Sequence, residues 1–289
     1  MYYLNHISGI GMKTELIELT ARVTQVLQIN STWMIWNLFL AFIPLVLSIW
    51  LFRNKRDHIG TWALGFLALF ACVSPNRDYI KRFSIAIINH ITNFSTLKLA
   101  LLLAFGLLPL GIWMSKTKYG RSAFWWLGFI VFYAFLPNAP YLLTDVIHLI
   151  DDIRTIQSVW MITLVLIPLY IFVIFAGFEA YVVSLINLGS HLHRVGKSQW
   201  ILGVEIATHA LSAIGIYWGR FLRFNSWDLV TQPDYLLTRG VEELLGKQPL
   251  VIIAITFAIL TGLYWLMKRV TLGFVRQSSR RMNIQSVNN

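Results

Sequence analysis

The chain alternates between long apolar runs and short polar connections. Seven runs stand out, at residues 33–52, 59–74, 97–114, 122–136, 159–186, 200–218 and 250–267. A helix needs about 20 apolar residues to cross the hydrocarbon core of a bilayer. Five runs approach or exceed that length. The second and fourth are short, and the fifth is long enough to tilt or to extend into water. The pattern predicts an all-α, multi-pass transmembrane bundle of seven spans.

The polar stretches divide the chain further. Met12, Leu16, Leu19, Val23 and Val26 form one helical stripe, with Glu15, Glu18 and Arg22 off it. Residues 1–32 therefore read as an amphipathic segment on the membrane or protein surface. They lack the basic start and apolar centre of a cleaved leader. Residues 33–267 form the membrane domain, and 268–289 form a basic tail. Two more surface helices are expected. One covers 78–96, where Ile80, Phe83, Ile87, Ile88, Ile91 and Phe94 recur at helical spacing beside Arg77, Lys81 and Arg82. The other covers 233–245, between Pro233 and Gly246.

Composition agrees with a lipid environment: 57% of residues are hydrophobic and 13% are charged. That is about half the usual charged share of a soluble domain. The net charge of +11 comes from clusters at the ends of apolar runs, such as Arg53, Lys55 and Arg56. Such clusters set membrane topology, and no basic domain is left to hold nucleic acid. With seven crossings, one side carries thirteen Lys and Arg in short segments, with Asp57 the one acid. The other side carries eleven, spread over longer segments with ten acids. The expected orientation is N-terminus outside, C-terminus inside. If the second run did not cross, this bias would vanish. The single cysteine, Cys72, can form neither an internal disulfide nor a thiolate metal site.

Two polar segments carry candidate chemistry, both on the expected outer side. In residues 136–148, Pro137 and Pro140 end the fourth span, and helical periodicity resumes at the outer surface. Asn138 and Tyr141 follow, and Asp145, His148 and Asp152 share one helix face at i, i+3 and i+7. That face can supply an acid and a base or ligate a metal, but it is more commonly a solvated surface; no metal site is expected. In residues 215–228, Arg220 and Arg223 stand among Phe221, Phe224 and Trp227, followed by Asn225 and Asp228. Arginine forks suit phosphate or carboxylate, and the aromatic rings suit the headgroup level. The recurrence of amide and acid near arginine predicts that Arg220 or Arg223 meets Asp145 or Asn138, with His148 beside them. A third group is intramembrane: Glu179, and Glu205 with His209 four residues later. These read as a polar pairing between helices, with a proton path as the alternative.

The two outer segments resemble an uncharacterised bacterial membrane family, domain of unknown function 1361. The resemblance rests on Phe135 to Tyr141 with Thr144, Asp145, His148 and Leu149. It also rests on Gly219 to Arg223 with Asn225, Ser226, Trp227 and Asp228. Trp36 to Ala41, with Ile43 and Pro44, is similar to the family's first span. It covers roughly residues 33–230. The family pattern has leucine where Trp218 stands and tryptophan where Phe224 stands, and both departures keep bulk. The resemblance implies a bacterial inner-membrane protein without an assigned activity.

The residues leave three functions open. The first is non-catalytic binding of an anionic lipid, envelope component or partner protein by the outer motifs. The second is an envelope enzyme on a lipid-linked phosphate substrate, with Asp145 and His148 as acid and base. The third is a small proton-coupled transporter using Glu179, Glu205 and His209. The first is preferred, since no nucleophile motif, Walker loop or zinc signature is present and no cofactor is implied.

Overall fold

The computed structural model describes residues 2–53, 59–91, 123–156, 158–223 and 247–287. Among these residues every regular element is helical. Helix α1 (Tyr2–Phe52) is followed by α2 (Ile59–Ala71) and α3 (Ser74–Ile91). Next come α4 (Ala123–Phe135), the single turn α5 (Asn138–Tyr141), a 3-10 turn (Leu142–Asp145) and α6 (Val146–Thr155). A short α7 (Val159–Met161) passes through a π turn (Ile162–Leu166) into α8 (Ile167–Arg194). A 3-10 turn (Ser198–Trp200) leads to α9 (Ile201–Arg220), and α10 (Lys247–Val287) closes the described chain.

Among the described residues, five stretches are long and apolar enough to cross a membrane: Val23–Phe52, Trp125–Thr155, Val159–Arg194, Ser198–Arg220 and Gln248–Gln277. A bent pair, Ile59–Ala71 with Pro75–Arg82, brings the total to six if it counts as one span. The third apolar run, 97–114, and the expected helix at 233–245 lie outside the described residues.

Several boundaries differ from the sequence reading. Helix α1 runs unbroken through residue 32, because nothing in that stretch interrupts helical hydrogen bonding. Helix α10 continues past residue 267 to Val287, so the first part of the basic tail extends the last span. The second apolar run is helical only to Ala71 and then turns through 85°. Pro137 and Pro140 do not send the chain away from the bundle. Proline removes a donor and crowds the preceding turn, and here the chain absorbs that as a short α–3-10–α passage within the stretch Trp125–Thr155.

Helix α1 is the central post, packed along α8 and also against α2, α4 and α5. Helix α10 packs mainly on α9 and touches α8. The core holds Phe52, Phe132, Leu136, Leu142, Tyr170, Tyr181 and Leu185. The outward faces are also apolar, with Trp62, Phe66, Trp160, Phe172 and Phe274 exposed. A bundle that is apolar inside and out is built for lipid contact.

Two glycines let the proline passage enter the bundle. A Cβ on Gly215 of α9 would lie 2.8 Å from Cβ of Pro137. One on Gly177 of α8 would lie 2.8 Å from Cδ2 of Leu142 and 3.2 Å from the carbonyl oxygen of Ala139. The passage therefore sits between α8 and α9 at backbone contact, which small residues permit in membrane bundles. This seating places the candidate motif.

Candidate functional site

Helices α8 and α9 are joined at residues 195–200, so Arg194 marks one end of the hairpin and Arg220 the other. At the Arg220 end, the side chain of Arg220 crosses from α9 to the proline passage. Its Nε donates to Thr144 Oγ1 at 3.0 Å, and Nη2 donates to Thr144 Oγ1 at 2.6 Å and to Asp145 Oδ1 at 2.7 Å. Its Nη1 lies 3.2 Å from His148 Nε2. Arginine can only donate, so Nε2 is the acceptor in this contact. The guanidinium carbon stands 4.6 Å from the ring centre of Tyr141.

This pair is buried: the Asp145 side chain is 1% exposed and that of Arg220 13%. Oδ1 is satisfied by Arg220, but Oδ2 has no hydrogen-bond partner among the described residues. Asn37 of α1 stands beside the same carboxyl group without closing a hydrogen bond to Oδ2. Trp33, one helical turn before Asn37, lies against His148 (ring centres 5.0 Å apart) and Tyr170 (5.9 Å). Tyr170 in turn donates to Asp152 Oδ2 at 2.9 Å. Residues from α1, α5, α6, α8, α9 and the 3-10 turn thus converge on one polar site.

The sequence candidates divide as follows. Arg220, Asp145, His148 and Tyr141 come together, with Asp152 at the edge. Asn138 is turned back, donating to the carbonyl of Phe135 at 3.0 Å. Arg223 is exposed, with φ of +56° and no hydrogen bond to any described residue. Asn225, Trp227 and Asp228 lie outside the described residues. Among the described residues no three His, Cys, Asp or Glu side chains converge as metal ligands would. Sequence reasoning carried Thr144 only within the family resemblance and missed Trp33 and Tyr170. Thr144 directly precedes Asp145, and that adjacency is the signal that lets one guanidinium take both.

The intramembrane group is arranged differently from the pairing expected. Glu205 does not meet Glu179; both reach α10. Glu205 Oε1 accepts from Tyr264 Oη at 2.7 Å and from Lys268 Nζ, while Glu179 Oε1 accepts from Thr271 at 2.7 Å. His209 is fully buried, its Nδ1 2.7 Å from Tyr181 Oη, which also donates to Ser212 at 3.3 Å. Its Nε2 has no hydrogen-bond partner among the described residues, and its ring lies 4.6 Å from that of Tyr264. The missed partners share a legible spacing. Tyr264 and Lys268 are four apart, as are Glu205 and His209, so two helix faces are matched.

The long apolar helices, lipid-facing surface and buried polar contacts define a helical membrane protein held together by ion pairs and hydrogen bonds between its helices. The family model for "Protein of unknown function (DUF1361)" matches residues 36–93 and 97–261. The chain belongs to this family. Neither the curated proteins nor the solved structures contain a significant match to it.

Proposed function

We propose that the protein is a non-catalytic membrane protein whose Arg220 end faces outward and binds the phosphate of an anionic lipid or envelope component. One observation carries this reading: Arg220 holds Asp145 and His148 together. The candidate acid and base are thereby committed to a fixed cation and are not free to exchange protons with a substrate. Arg220, neutralised by Asp145, acts as the clamp that orders the site. Arg223, exposed three residues on, is the cation presented to a ligand. Its left-handed backbone lies just past the end of α9, whose C-cap is Phe221. The transport reading is weaker, because the charge of Glu205 is balanced by Lys268 in a contact that joins α9 to α10.

The test uses the purified protein in nanodiscs of phosphatidylcholine titrated with phosphatidylglycerol. Arg223→Gln should weaken phosphatidylglycerol binding about fivefold, near the 1 kcal/mol expected of one interfacial cation. Arg269→Gln, in α10 towards the Arg194 end of the hairpin, should leave it unchanged. Equal binding by wild type and Arg223→Gln would reject the reading. So would turnover of a lipid phosphate that is lost in Asp145→Asn.

A further inference from the structure

The bent pair α2–α3 carries a second reading, which does not rest on the role of Arg223. Helix α2 has thirteen residues, about 20 Å of helix against a core of about 30 Å. Its large exposed side chains are apolar, Trp62, Phe66 and Leu69 among them. It runs antiparallel to α1, with Gly60 near Trp50, Phe66 beside Phe42 and Phe70 beside Phe39. The chain then turns through 85° into α3, and the second turn of α3 stacks Tyr79 on Trp36 with ring centres 4.8 Å apart.

Trp36 fixes the depth of that corner. It lies between Trp33, which touches His148, and Asn37, which stands beside Asp145. Helix α3 therefore begins level with the Arg220 site. A helix perpendicular to a lipid-facing helix, and level with a polar site at the bundle end, runs along the membrane plane. Its residues suit that position. Tyr79 and Ile80 pack on the Trp36, Phe39 and Leu40 cluster, while Arg77, Lys81 and Arg82 are exposed on both flanks of that stripe. Asp78, 3.7 Å from Arg77, is the one acid in α3, so the helix keeps an excess of cations. Cations flanking an apolar stripe reach phosphates while their stems cover apolar surface.

We propose that α3 lies flat in the headgroup layer beside the Arg220 end, and that Arg77, Lys81 and Arg82 bind the phosphates of anionic phospholipids there. The short α2 then draws that leaflet inward, because a helix shorter than the core is matched by local thinning.

Two measurements test this, with Arg223 intact and Cys72→Ser as background. Spin labels at Asp78→Cys and Ile85→Cys, on the same outward side of α3, should report immersion depths within about 3 Å of each other. A helix along the membrane normal would separate them by about 10 Å, at 1.5 Å per residue, and that result overturns the proposal. In mixed phosphatidylglycerol and phosphatidylcholine bilayers, Lys81→Gln with Arg82→Gln should lower the protein's preference for phosphatidylglycerol. The expected loss is about fivefold for each charge removed. An unchanged preference would reject the lipid assignment even if the helix lay flat. The Arg223→Gln protein should keep the α3 effect, which separates failure here from failure of the Arg223 site.

Discussion

Arg220 makes four hydrogen bonds through one guanidinium, to Thr144 twice, to Asp145 and to His148. A planar fork can satisfy such a set, whereas an ammonium can supply the charge but not the geometry. The pair is buried, so its attraction is offset by the cost of removing two charges from water. Its worth therefore shows in what happens when one partner is lost. Asp145→Asn or Arg220→Gln should each destabilise the protein by about 3–5 kcal/mol, since each leaves an uncompensated buried charge. Asp145→Leu with Arg220→Met should cost much less than the two single losses together, and Arg220→Lys should fall between. Unfolding in mixed micelles measures all of these. Additive losses in the double variant would show that the two residues act independently.

At the scale of elements, the site depends on how closely the proline passage approaches α9. Gly215 leaves no room for a methyl group beside Pro137, which lies at the entry to that passage. Gly215→Ala should push the passage outward, stretch the Arg220–Asp145 contact and cost about 1–3 kcal/mol. Gly203→Ala, on the same helix, faces open space and should be neutral or slightly stabilising. Comparing the two removes the general effect of alanine on helix formation. Equal stabilities would mean that Pro137 moves aside at no cost. The last helix is held in another way. Glu205 and Glu179 reach Tyr264, Lys268 and Thr271, and these polar contacts dock a helix whose other faces are largely exposed to lipid.

For the whole molecule, the two ends of the α8–α9 hairpin set the frame. The proposed orientation puts the Arg220 end outside and the Arg194 end inside, in line with the denser cations of the connections on the latter side. It predicts the labelling of single cysteines in intact cells, again with Cys72→Ser. A cysteine at Asp151, exposed beside the Arg220 site, should react with an impermeant thiol reagent. A cysteine at Lys197, exposed in the connection between α8 and α9, should be protected until the membrane is opened. The reverse pattern would invert the orientation and place the Arg220 site in the cytoplasm.

Much of this architecture was legible from local pattern. An apolar run such as 159–186 declares itself because the transfer free energies of consecutive residues add within one helix. Arg220 and Asp145 were legible as candidates for the same reason that they are rare: charged groups near lipid need a partner. What the pattern along the chain could not decide was which partner each would take. Asp145 meets Arg220 across 75 positions because Gly177 and Gly215 let the proline passage lie between α8 and α9. Glu205 takes Lys268 and Tyr264, not Glu179, because α10 packs against that face of α9. Likewise, the 59–74 run announced an apolar helix, but only the tertiary structure placed its 85° turn at the level of Trp36. Burial in a bilayer is a sum over neighbours in sequence; pairing is a property of neighbours in space, set by which small residues let which helices touch.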